Sequence, residues 1–178
     1  MENDFDDVPP GIKSIVVHVA EFSCVDNEYI EGPRLLAVTT TYDATENIAE
    51  RTTFYTNGVV HSRVVTTGAE EQRRSIIYRY RLDGHLRDKW LITYNSDATK
   101  AHVGEFDSHG KLHEVPFEEE EEIPIFDFEQ VVETENTVKR EFDVRGNWIR
   151  ETRFEKKFDR GELLDVPIMV IYRTITYL

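Results

Sequence analysis

A short phrase recurs four times along the chain and constrains its fold more than any other feature. An aromatic residue, usually followed by Asp, leads within four residues to Gly or a polar turn residue, then to a polar residue, then to an apolar one. The copies are Tyr42-Asp43-Ala44-Thr45-Glu46-Asn47-Ile48, Tyr80-Arg81-Leu82-Asp83-Gly84-His85-Leu86, Phe106-Asp107-Ser108-His109-Gly110-Lys111-Leu112 and Phe142-Asp143-Val144-Arg145-Gly146-Asn147-Trp148. Each lies between stretches that alternate apolar and polar residues, so each reads as a hairpin turn. Gly84, Gly110 and Gly146 can take φ > 0 without steric cost, as tight loops demand. The carboxylates of Asp43, Asp107 and Asp143 can fold back onto nearby backbone N–H groups. The leading aromatic and the trailing Ile48, Leu86, Leu112 or Trp148 are then placed to pack across the strand pair.

The remaining punctuation agrees with hairpins. Ile12–Ser23 and Arg34–Tyr42 alternate, with Glu31-Gly32-Pro33 read as the turn between them. Asn57-Gly58 between Ile48–Tyr55 and Val59–Thr67 is a strong hairpin signal. Arg73–Arg81, Leu86–Tyr94, Lys100–Phe106, Lys111–Val115, Val131–Phe142, Asn147–Lys156 and Ile168–Tyr177 follow, with Asp159-Arg160-Gly161 as a turn. No window keeps a helical period beyond about ten residues. The expectation is an all-β fold, an antiparallel meander of about ten strands in successive hairpins. Its twisted sheet would be partly closed or folded as a sandwich. A face such as Ile149, Glu151, Arg153 and Glu155 would tolerate water, while Trp148, Thr152 and Phe154 would need cover.

A chain of 178 residues is expected to form one β domain over 12–178 after a flexible acidic arm at 1–11, with an acidic loop at about 116–130. It holds no apolar stretch long enough for a membrane helix, and its N-terminus lacks a secretory signal. Cys24 stands alone, so no internal disulfide can form. These features favour a cytoplasmic protein. The formal net charge is −14. Residues 105–135 hold twelve acidic side chains against the single Lys111, and residues 1–7 add four more; all other residues together carry a net +1. Nucleic acid and anionic membranes select clustered Lys and Arg, so neither is an expected partner. A protein with a basic surface is.

The phrases, best seen in Phe142–Trp148 with the following Ile149-Arg150-Glu151-Thr152-Arg153 and the closing Arg173-Thr174-Ile175-Thr176-Tyr177, resemble YD repeats of the RHS type. In that family the repeats build long antiparallel sheets that wind into shells around toxins, or occur in surface and carbohydrate-associated proteins. The resemblance, over residues 34–178, implies a sheet of hairpins and a toxin-related setting. It departs from the family where Glu46 replaces Gly, where Arg81 replaces Asp, and in having four copies, too few to enclose a toxin.

The chain carries no Walker loop, G-x-G-x-x-G, G-x-S-x-G or H-E-x-x-H motif, and it is expected to be non-enzymatic and without cofactor. His102, His109 and His113 with Asp107 form a conceivable metal set about one hairpin, and Cys24 with His18 a conceivable nucleophile pair. Both read more simply as surface histidines and a small packed thiol. The sharper candidate is the segment Phe117, Glu118, Glu119, Glu120, Glu121, Glu122, Phe126, Asp127 and Phe128. Five adjacent carboxylates flanked by aromatics and bracketed by Pro116 and Pro124 suit recognition of a basic groove. The expected function is a protein-interaction module such as an immunity protein that neutralises a basic toxin. A carbohydrate-binding module using Trp90 and Trp148 is the alternative.

Overall fold

A computed structural model describes residues 11–45, 47–68, 73–95, 100–115, 137–159 and 161–178. These form β1 (Ile12–Val25), β2 (Glu28–Glu31), β3 (Leu35–Tyr42), β4 (Ile48–Phe54), β5 (Val60–Thr67), β6 (Arg74–Tyr80), β7 (Leu86–Tyr94), β8 (Lys100–Phe106), β9 (Leu112–Val115), β10 (Thr137–Phe142), β11 (Trp148–Asp159) and β12 (Glu162–Tyr177). The expected all-β, antiparallel, hairpin-by-hairpin architecture is what the structure shows, with twelve strands among the described residues. They fall into two compact units divided within β3.

In the first unit the strands run in the order β10-β11-β12-β1, with β2 paired to the far end of β1. Its buried side chains are Ile12, Ile15, Val17, Ala20, Ala37, Trp148, Val170 and Ile171, together with the polar Asn147, Glu151 and Arg173. Two boundaries differ from expectation. The chain reverses at Asp26-Asn27, both at positive φ (53° and 65°), rather than at Glu31-Gly32-Pro33, because Asn and Asp tolerate the left-handed region that the tight turn needs. The last strand begins at Glu162 rather than Ile168. Pro167 is accommodated because the register slips beside it, between Arg153/Phe154 on β11 and their β12 partners.

The second unit is the meander β3-β4-β5-β6-β7-β8-β9. Its cross-strand register aligns three rows on one face: Val38, Thr53, Ser62, Arg79, Asp88; Thr40, Arg51, Val64, Ile77, Trp90, Glu105; and Thr66, Ser75, Ile92, Val103. That face holds the buried Val38, Thr40, Thr53, Ser75, Ile77, Ile92 and Val103. Two pairs of hydroxyls within it bond across the strands, Thr53 with Ser62 at 2.7 Å and Thr66 with Ser75 at 2.9 Å. The pairing is not complete, since Arg51 Nε on the same face is buried without a hydrogen-bond partner among the described residues.

The repeated phrase is one turn module, and it occurs five times among the described residues. In each, the backbone N–H of the residue after the aromatic donates to the carbonyl of the residue four further on: Asp43 to Asn47, Tyr55 to Val59, Arg81 to His85, Asp107 to Lys111 and Asp143 to Asn147, at 2.8–2.9 Å. Gly58, Gly84, Gly110 and Gly146 have φ between 78° and 84°, as a three-residue hairpin loop closing on a left-handed residue requires. The aromatic lies directly opposite the trailing apolar residue in every copy: Tyr42–Ile48, Phe54–Val60, Tyr80–Leu86, Phe106–Leu112 and Phe142–Trp148. The same backbone N–H is capped each time. Where Asp follows the aromatic, its carboxylate accepts from Asn47, Lys111 or Asn147. In the other two copies Asn57 caps Val59 and Asp83 caps His85.

One expectation about faces is corrected. Glu151, placed on a water-tolerant face by strict alternation, is buried at 3% exposure. The register jumps from Phe142–Trp148 to Glu141–Arg150, so Ile149 is an extra residue, and Arg140 then lies opposite Glu151. A bulge of this kind resets the alternation. Trp148 and Glu151 therefore share a face, and Glu151 accepts from Arg140 Nε and Arg153 Nε, both at 2.8 Å.

Candidate functional site

Phe117, Glu118, Glu119, Glu120, Glu121, Glu122, Phe126, Asp127 and Phe128 lie outside the described residues. The part of the acidic segment that is described is the β8–β9 hairpin, which presents Glu105, Asp107 and Glu114. Asp107 is committed to the turn. One of its oxygens accepts from the backbone of His109 and Lys111, and the other meets His113 Nε2 at 2.9 Å. The bond from His113 and the two backbone donors hold its carboxyl below the usual aspartate range. Glu105 and Glu114 make no hydrogen bond or ion pair among the described residues; Glu114 is exposed, while Glu105 is half-buried on the face that carries Ile77 and Trp90.

An open cleft of about 730 Å³ lies beside this hairpin, between the start of β7 and the β8–β9 turn, lined among others by Leu86, Arg87, Lys89, Glu105, Phe106 and His113. Its charges are largely engaged. Lys89 sits over the rings of Phe106 and Tyr78, at 4.4 and 5.4 Å. Arg87 approaches Asp88 at 3.4 Å. Asp88 in turn accepts from Arg79 Nε at 2.5 Å and from the Trp90 indole at 2.9 Å. No three His, Cys, Asp or Glu side chains among the described residues converge to hold a metal. His113 is turned to Asp107, and His109 lies beside Ser108 at 3.4 Å.

His61 is the most chemically suggestive histidine. Burial, with the charges of Arg79 and Arg87, lowers its pKa, and Nδ1 lies 3.3 Å from Thr53 Oγ1. Thr53 is itself buried at 5% exposure, so its hydroxyl ties strands together and has no open approach for a substrate. Cys24 is exposed on the β1–β2 hairpin. The two tryptophans lie in different units. Trp90 is held by Asp88, and Trp148 is 8% exposed with the Arg173 guanidinium 4.2 Å from its ring centroid.

Sequence reasoning missed two arrangements. One is the Arg140–Glu151–Arg153 cluster, which the bulge at Ile149 hides. The other is a clamp on β12: Arg34 stacks 3.6 Å from the centroid of Tyr172, whose hydroxyl donates to Glu31 at 2.7 Å. That bond, more than the nearby Arg34, lowers the Glu31 carboxyl, while burial and Glu31 raise the phenol.

No family model and no curated protein matches the chain. Among solved structures, a porin-like protein from Bacteroides uniformis ATCC 8492 is similar over 94% of this chain and 99% of that chain, at 10% identity and a TM-score of 0.39. Nothing further rests on that likeness. No helix among the described residues is long and apolar enough to cross a membrane.

Proposed function

We propose that this chain is a non-enzymatic protein-interaction module, an inhibitor of the immunity-protein type that acts in the cytoplasm on a basic partner such as a toxin domain. One observation carries the reading: the negative charge is segregated. Several carboxylates of the β framework are used internally, Glu31 with Tyr172 and Arg34, Glu50 with Arg63 in a two-bond pair at 2.9 Å, Asp88 with Arg79 and Glu151 with two arginines. The surplus sits in residues 105–135 and at the N-terminus. Glu118–Glu122, flanked by Phe117, Phe126, Asp127 and Phe128, places five of those carboxylates in adjacent positions. A dense acidic segment of this kind accelerates encounter with a basic groove and selects against acidic competitors. The YD-repeat resemblance agrees with a toxin-related setting.

The test is capture from the source organism's lysate at low salt, with the native chain and with a variant carrying Glu118→Lys through Glu122→Lys. The native chain is expected to retain a basic protein that salt releases, and the variant to lose it. Equal retention by both would overturn the proposal.

A further inference from the structure

Among the described residues, the β11–β12 hairpin runs on past the ends of its pairing with the flanking strands. Among the described residues, pairing of β10 with β11 ends at Thr137–Phe154, and pairing of β1 with β12 ends at Glu21–Met169. From Glu155–Val166 outward, these two strands pair only with each other among the described residues. A two-stranded ribbon alone is marginally stable in water, yet this one carries large apolar side chains into solvent: Phe158 is 72% exposed, Leu163 61% and Leu164 44%. Phe158 and Leu163 are direct cross-strand partners, and Lys156 and Asp165 are partners two residues along. All four therefore share one face.

We propose that this arm docks a second copy of the chain, face to face, about a two-fold axis running along the arm. That rotation lays β11 of each copy over β12 of the other. Phe158 then meets the second copy's Leu163, and Lys156 meets the second copy's Asp165, so the apolar and the charged rows are both self-complementary. A two-fold axis across the strands would instead lay each lysine-bearing strand over its own counterpart. Charge also selects this surface. Two chains of −14 repel each other broadly, but the arm is nearly balanced, with Lys156, Lys157 and Arg160 against Glu155, Asp159, Glu162 and Asp165. The face is far smaller than the roughly 20–30 residues a side of a standard interface, so the dimer is weak.

Sedimentation velocity of the full chain, from about 10 μM to about 1 mM, is expected to show dimer growing across that range. The pair F158S/L163S should remain monomeric throughout. K156D alone and D165K alone should each remain monomeric, and an equimolar mixture of the two, a charge swap between copies, should restore the dimer, a rescue that repairing the Lys156–Asp165 pair within one arm cannot give. Unchanged Trp148 fluorescence checks that the unit is intact in each variant. A monomeric native chain at the highest concentration, a dimer insensitive to F158S/L163S, or a failed rescue by the charge swap would each overturn the proposal.

Discussion

Glu151 offers the most demanding test of how the first unit is held together. It is 3% exposed and accepts one charge-assisted hydrogen bond from each of Arg140 and Arg153. Hydrogen bonds to charged groups contribute about 1.5–3 kcal/mol each, and removing one member of a buried pair costs about 3–5 kcal/mol. Here the arginine side chains are 35% and 21% exposed, so water can partly resolvate them once Glu151 is gone. Glu151→Ala is therefore expected to cost about 2–4 kcal/mol, toward the lower part of that range. For a chain of this size each kcal/mol lowers Tm by about 2–4 °C, which predicts a fall of about 5–15 °C.

The assay is urea unfolding followed by Trp148 fluorescence in a Trp90→Phe background, since two units need not melt together. Glu151→Gln, which keeps the shape and one acceptor, should lose roughly half as much. Replacing the whole cluster with Arg140→Met, Glu151→Leu and Arg153→Met should cost less than Glu151→Ala alone, because no uncompensated charge is left behind. A loss under about 1 kcal/mol for Glu151→Ala would refute the reasoning, since it would mean that the two arginines do not depend on this carboxylate.

The turn modules give graded expectations. Asp143→Ala should destabilise more than Asp83→Ala, because Asp143 caps Arg145 and Asn147 and also receives the Tyr177 hydroxyl, while Asp83 caps only His85; equal losses in thermal melts would contradict the hydrogen-bond assignment. The Asp43, Asp107 and Asp143 carboxyls are held low, chiefly by Thr45, His113 and Tyr177 respectively. Each therefore contributes stability that is fully present above the unfolded value near 3.9 and is lost as pH falls through the lower folded value. Acid titration below about pH 4 should show a shallower loss of stability in the Asp→Asn variants than in the native chain. Asn27→Gly should raise Tm slightly, by up to about 0.5–1 kcal/mol in stability, because Asn27 sits at φ 65° where a Cβ is penalised; a clear drop would show that the Asn side chain has an unseen role.

What could be read from the residues was what local chemistry alone determines. Four turns were legible because a capping Asp, joined in three of them by a left-handed Gly, leaves a mark in the sequence. The fifth, at Phe54–Val60, was legible as a hairpin from Asn57-Gly58 but not as a copy of the phrase, because Tyr55 stands where three of the others carry Asp. Its cap comes from Asn57 two residues later, so the module is defined by which N–H is capped rather than by which residue caps it. The face of Glu151 was not legible, because the bulge at Ile149 requires no particular residue and yet shifts the strand's alternation about it. The candidate site follows the same division. Asp107 and Glu114 are near neighbours in sequence and alike in charge. Only the hairpin's register shows that Asp107 is spent on His113 and its own turn, while Glu114 is unengaged among the described residues. A carboxylate's availability to a partner thus depends on what stands across the strand from it, and a count of acids along the chain overstates the number that can bind.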